Sequence, residues 1–151
     1  MTDWPQIVPR LRVLDNQRKP LRERSKKKPS AQERREGNNK KHLALIRLLP
    51  CCVTLKMPAG EAHHLKSGPA AKERGVGMKA TDKWAVPLGH KSHMYGVELL
   101  GSRNEFGWFQ SHGIDPYELA AALWAATGDL PKMTKIVLAH RAGKRRGGGD
   151  G

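Results

Sequence analysis

The chain has 151 residues, enough for one modest domain, and its 28 Lys and Arg against 14 Asp and Glu give a formal net charge of +14 that makes a polyanion its natural partner. No apolar run approaches the roughly 20 residues of a membrane span, and Met1-Thr2-Asp3-Trp4-Pro5 lacks the apolar stretch of a signal peptide. The only cysteines, Cys51 and Cys52, are adjacent and cannot build a disulfide framework, so a cytoplasmic protein with no membrane role is expected.

Charge divides the chain into three. Residues 1–41 hold 13 Lys/Arg against 5 Asp/Glu, residues 42–131 hold 9 against 8, and residues 132–151 hold 6 against 1. The expected organisation is a basic, mostly disordered arm over 1–40, a near-neutral globular domain over 41–131, and a basic helix and Gly-rich tail over 132–151. Residues 15–41 carry almost no apolar side chains, too few to offset the chain entropy of ordering. Ile7, Val8, Leu11 and Val13 just before them read equally as a short docking strand or a solubilising tail.

Order is expected from near Lys41. His42, Leu43, Leu45, Ile46 and Leu49 recur at helical spacing and Pro50 stops the helix. Cys51-Cys52-Val53-Thr54-Leu55-Lys56 predicts a short strand, residues 57–60 a turn, and Glu61 to Leu65 a returning strand. Residues 66–81 are rich in Gly and Lys and predict a long functional loop. Its Gly75-Val76-Gly77 piece lacks the strand–glycine–helix context of a nucleotide-binding fingerprint. Trp84 to Leu88 is apolar and leads into a helix from about His90 towards Leu100. Ser102-Arg103-Asn104-Glu105 fits a capping box and Asp115-Pro116-Tyr117-Glu118 a second one, with Gly113 and Gly128 as the stops of their helices. A last basic helix is expected over 132–142. Trp84, Phe106, Trp108, Phe109 and Trp124 are the expected core aromatics.

The chemistry concentrates in a split histidine constellation. Ala62-His63-His64-Leu65 supplies one pair, and Asp82-Lys83-Trp84-Ala85-Val86-Pro87-Leu88-Gly89-His90-Lys91-Ser92-His93 supplies a carboxylate and another pair about a turn apart. Imidazoles and a carboxylate gathered in this way suit a divalent metal and a general base, because neutral histidine titrates near working pH and binds metal through its free nitrogen. Neighbouring strand residues point to opposite faces, so His63 and His64 do different jobs: one faces metal and one substrate, or one is structural. Lys66, Lys79 and Lys83 flank the site and either hold phosphates or are simply solvated.

The stretch from about His42 to Asp129 resembles the HNH endonucleases, particularly a small phage and prophage branch. There a C-x-x-C … A-H-(I/L) hairpin precedes K-x-x-D-x-(W/Y)-x-V-P-L-C-x-x-H-H, followed by a short helix and W-F-x-x-x-G-I-D-P. The matching stretches are Cys51-Cys52-Val53-Thr54, Ala62-His63-His64-Leu65, Lys79 through Asp82 to Gly89, Ser92-His93, and Trp108-Phe109 through Gly113-Ile114-Asp115-Pro116. The resemblance implies an α+β fold with a small ββα-metal core, a β-hairpin plus a helix, with flanking helices. It implies a phosphodiester hydrolase acting on DNA, with RNA left open, and one divalent ion, Mg²⁺, Mn²⁺ or similar, with Zn²⁺ also open. Carried over by position, His64 is the general base, His93 and His63 are metal ligands, and Asp82 supports the site or the metal. A partner such as a phage recombination or packaging protein is compatible with this reading. Thr54, Gly89 and Ser92 stand where relatives often carry Cys, Cys and His, and Val97 lies near a further missing helix histidine. No structural zinc is therefore expected, since a four-coordinate site needs a complete ligand set. The same erosion motivates the rival expectation, a non-catalytic nucleic-acid-binding accessory protein on a degenerate HNH scaffold.

Overall fold

The computed structural model describes Lys28, residues 35–74 and residues 78–146. Most of the expected disordered arm, the Gly75-Val76-Gly77 stretch and the end of the Gly-rich tail lie outside the described residues.

Helix α1 runs from Lys40 to Leu48. Asn39 opens it by accepting from the amides of Lys41 and His42, and Pro50 bars its continuation. His42 and Ile46, four residues apart, are its buried face. The next segment departs from expectation: residues 51–56 form a turn, closed by Leu55 N–H to Cys51 O at 2.8 Å and Cys51 N–H to Lys56 O at 2.9 Å. Cys51 and Cys52 are both buried, and consecutive inward side chains conflict with the two-residue alternation of a strand.

Strand β1, Gly60–His64, instead pairs antiparallel with β2, Ala85–Gly89, in the register His63 to Val86 and His64 to Ala85. The hairpin thus spans the long basic segment between them, and its second strand is the apolar stretch expected only as a lead-in to a helix. Four consecutive residues of β2, Ala85 to Leu88, are buried, the pattern of a strand covered on both faces. Helix α1 packs on both strands. The 51–56 turn docks on the outer edge of β2 through Cys52 N–H to Pro87 O at 3.0 Å. Pro87 is tolerated because it presents its carbonyl to that outer edge, so its missing N–H costs no bond of the β1–β2 ladder.

Helix α2 covers Gly68–Glu73, and a single 3-10 turn, Asp82–Trp84, leads into β2. Helix α3, residues 90–100, is α-helical over His90–Ser92, π-helical over His93–Val97 and α-helical again over Glu98–Leu100. Helix α4 is Glu105–Ser111 and α5 is Pro116–Ala125, where Asp115 accepts from the amides of Tyr117 and Glu118 as its sequence predicts. Helix α5 packs on β2. The box expected at 102–105 is not formed: Asn104 holds the cap position, and the Glu105 side chain turns inward, 1% exposed.

Helix α6, Leu130–Arg146, begins earlier and runs further than expected. Its Met133 and Val137 are fully buried in the same core as Ile46, Leu49, Leu65, Leu88, Phe109, Ile114, Leu119 and Leu123, so this basic helix belongs to the domain. Burying a side chain of that size contributes about 1.5–3 kcal/mol before entropy. Of the expected core aromatics only Phe109 is fully buried; Trp84, Phe106, Trp108 and Trp124 are half-buried. No described helix is long and apolar enough to cross a membrane.

Candidate metal centre and its cleft

The alternation of β1 sends its two histidines into different surroundings. His63, 1% exposed, lies against α3 and α4; its Nε2 is 2.8 Å from Glu105 Oε1 and its Nδ1 is 3.5 Å from Glu98 Oε1. His93, at the head of the π-helical turn, places Nδ1 2.5 Å from Glu61 Oε2 and Nε2 3.3 Å from Glu98 Oε1. The two rings meet edge to face, with centroids 5.0 Å apart.

Each imidazole therefore gives one nitrogen to an outer carboxylate and turns the other towards Glu98. A ring N–H donated to a carboxylate fixes the tautomer and leaves the lone pair on the opposite nitrogen, which is how metal-binding histidines are held. One ligand atom from each of His63, His93 and Glu98 lies within 4.8 Å of the others. Bonds of about 2.1 Å place neighbouring ligand atoms about 3.0–3.4 Å apart in octahedral or tetrahedral geometry. Separations of 3.3 and 3.5 Å to Glu98 Oε1 lie close to that spacing, while the two imidazole nitrogens are bounded only within 4.8 Å of each other.

The outer carboxylates are themselves held. Glu105 accepts from Lys66 N–H at 2.8 Å, Ser67 N–H at 3.0 Å and Ser67 Oγ at 2.5 Å in addition to His63. Burial pushes its carboxyl upward, but the hydrogen bonds from His63, Ser67 and the Lys66 amide outweigh it, leaving the group below the ordinary carboxylate range. Glu61 is lowered by hydrogen bonds from His90, at 2.6 Å, and His93. Glu98 is lowered by the Lys66 ammonium 2.6 Å away.

The π-helical turn explains how Glu98 arrives. Its N–H bonds to the His93 carbonyl, five residues back. In an unbroken α-helix the neighbour of His93 on its face is four residues on, at Val97; here Val97 is 2% exposed in the core. The wider turn re-phases the helix by one residue and brings Glu98 to the histidine, a use of single π-turns common at functional sites.

Asp82 is placed elsewhere. The sequence groups it with the metal ligands, whereas its Oδ1 lies 2.9 Å from His64 Nε2 and its Oδ2 accepts from Asn39 N–H at 2.8 Å. The 3-10 turn before β2 sets it beside the end of β1, where His64 pairs with Ala85, and away from α3. It is a partner of His64 and stands outside the His63, His93 and Glu98 group.

Both histidines of β1 line a cleft of about 800 Å³, together with Lys66, Arg74, Lys79 and Met94. Of the three lysines expected to meet phosphate, Lys79 is exposed on this cleft and Lys66 lines it while paired to Glu98. Lys83 is drawn aside: its ammonium is 2.7 Å from Glu73 and sits over the Trp84 ring. Sequence reading missed Glu61, Arg74, Glu98 and Glu105. Glu61 was accessible to it, since a residue two before His63 on a strand shares its face. The other three depend on a helix irregularity or on long-range packing.

Thr54 and Gly89, two of the positions singled out in the sequence, do lie beside Cys51. Burial raises the Cys51 thiol, but hydrogen bonds from Thr54, Gly89 and Val53 outweigh it and hold the thiol below its ordinary value. Burial pushes the neighbouring Cys52 thiol well above its usual range. Thr54 and Gly89 thus surround Cys51 and supply no further thiolate. No family model matches the chain, and neither curated proteins nor solved structures give a match.

Proposed function

We propose that the chain is a metal-dependent endonuclease of the HNH type, of phage or prophage origin, that hydrolyses phosphodiester bonds in DNA. One observation carries the reading: two carboxylate-anchored imidazoles and a third carboxylate converge beside a separate His–Asp pair on one cation-lined cleft. His64 is the base. Its Nε2–H is committed to Asp82, so Nδ1 is the nitrogen that takes a proton from water. Asp82 fixes that tautomer and orients the ring. His63, His93 and Glu98 are the residues that would hold a divalent ion, which when bound stabilises negative charge on the phosphate and the leaving oxygen. Two imidazoles with one carboxylate suit Mn²⁺, Zn²⁺ or a similar transition ion better than Mg²⁺, which prefers all-oxygen surroundings. Lys66, Arg74 and Lys79 border the cleft and hold the backbone through phosphates, which supplies affinity without reading sequence.

The test is incubation with supercoiled, linear and single-stranded DNA in Mn²⁺, Mg²⁺ or EDTA, with His64→Ala beside the native chain. Positioned bases contribute about 10²–10⁴-fold, so the variant should lose at least about 100-fold in nicking rate while still binding DNA. Cleavage by His64→Ala at the native rate overturns the assignment of the base. Tight binding without cleavage in any metal favours the accessory-protein reading, for which the departures at Thr54 and Gly89 are the motivating observation.

A further inference from the structure

Helix α3 carries the metal-facing His93 on one side and, on the other, an apolar strip that nothing among the described residues covers. Met94 is 46% exposed, Tyr95 72%, Leu99 73% and Leu100 45%. The strip begins at the cleft, because Met94 also lines it. Tyr95 is held edge-on to the exposed His90 ring, with centroids 6.3 Å apart. Basic side chains border it: Lys91 on the same helix and Arg103 just beyond are exposed, and Lys66, Arg74 and Lys79 line the adjoining cleft.

A second copy of the chain is a poor occupant. The cationic surroundings of two copies repel. A nucleic-acid strand fits both features, since its phosphates match the flanking cations and its base faces match a row of one aromatic and three aliphatic side chains. Paired bases are stacked and closed to such a row; unpaired bases are not.

We propose that Tyr95 and Leu99 form a base-contacting platform beside the metal centre, so that the strand entering the cleft is locally unstacked: the preferred substrate is single-stranded, bubbled or junction DNA. This rests on the nucleic-acid reading given above and narrows it. Both residues project into solvent, so their replacement leaves the core untouched.

The experiment measures binding in EDTA, where no cleavage occurs, using a single strand, a duplex with a central mismatch bubble and the fully paired duplex, each with 2-aminopurine at the bubble position. The full chain is compared with Tyr95→Ala, Tyr95→Phe and Leu99→Ala. The native protein should favour the unpaired substrates and change their 2-aminopurine emission. Tyr95→Ala should weaken binding to them about 5- to 150-fold, the equivalent of the 1–3 kcal/mol of one base–aromatic stack. Binding to paired duplex should be unchanged, and Tyr95→Phe should behave as native. Equal binding of native and Tyr95→Ala proteins to unpaired DNA overturns the platform while leaving the nuclease reading standing. Failure of the native chain to bind any DNA overturns both. Sedimentation showing a dimer that Leu99→Ala dissociates overturns the platform in favour of self-association.

Discussion

At the scale of single residues, the decisive group is a glutamate far from the histidines in sequence. Glu105 is buried against His63 and accepts from a second backbone segment, Lys66 and Ser67, so one carboxylate ties α4 to the end of β1. It holds His63 in the tautomer that leaves the Nδ1 lone pair turned towards Glu98. Removing such an outer partner costs about 10–100-fold in metal affinity. Glu105→Gln keeps the shape and removes the charge. It should bind Mn²⁺ about 10- to 100-fold more weakly by calorimetry and unfold more easily, by about 1–3 kcal/mol, because the amide cannot accept every bond the carboxylate accepts. A variant that is less stable but binds Mn²⁺ with native affinity would show that Glu105 serves the fold alone.

At the scale of elements, the arrangement of α3 rests on an irregularity. Its π-helical turn puts His93 and Glu98 on one face, and Gly96 within that turn lets the helix lie directly on α4: a Cβ at Gly96 would stand 2.7 Å from Trp108 Cζ2. The Trp108 ring is already hemmed by Phe109 and His112, with centroids 5.0 and 4.7 Å away. Gly96→Ala must therefore displace the helix or the ring, at about 1–3 kcal/mol, and a displaced helix moves both His93 and Glu98. The expected result is a lower melting temperature together with weaker Mn²⁺ binding, and partial recovery of both when Trp108→Phe is added. Additive losses in the double variant would break the link. Such features decide what sequence reveals. β1 and its two histidine environments follow from strand alternation, and α5 follows from Asp115-Pro116. Residues 51–56 have the composition of a strand, but inward burial of both cysteines coils them, a tertiary override of propensity. Glu98 falls out of phase with any α-helical count from His93. Glu105 satisfies a local capping pattern, and only long-range packing turns it inward.

At the scale of the molecule, the core and the site meet at His42. Its ring, fully buried on α1, lies edge-on to Trp124 at 4.9 Å, and its Nδ1 is 2.7 Å from Thr127 Oγ1, just past the end of α5. The Thr127 hydroxyl donates to Trp124 O at 2.7 Å, so His42 Nδ1–H is the donor to Thr127. Nε2 is then an acceptor, and it has no hydrogen-bond partner among the described residues. Burial drives the His42 pKa down from 6.5 to about 4, with Asp82 opposing, so the native protein holds a neutral ring that the unfolded chain protonates more readily. The unfolded state therefore binds more protons between pH 6.5 and 4, and stability is full above that window and declines as pH falls through it. The lowered carboxyls of Glu61, Glu73, Glu98 and Glu105 act in the same direction, but mainly at and below their ordinary value of 4.5, so the histidine dominates over most of the span from 6.5 to 4.5. Across that span His42 should account for about 2–3 kcal/mol of lost unfolding free energy. Urea unfolding at pH 7.0, 5.5 and 4.5, on the native chain and on His42→Phe, measures it. The phenylalanine fills the same buried space and cannot titrate, so its stability should fall less over the interval. Parallel slopes for the two proteins would mean that the extra protons bound on unfolding enter elsewhere in the chain, and that His42 joins α1 to α5 without setting the response to pH.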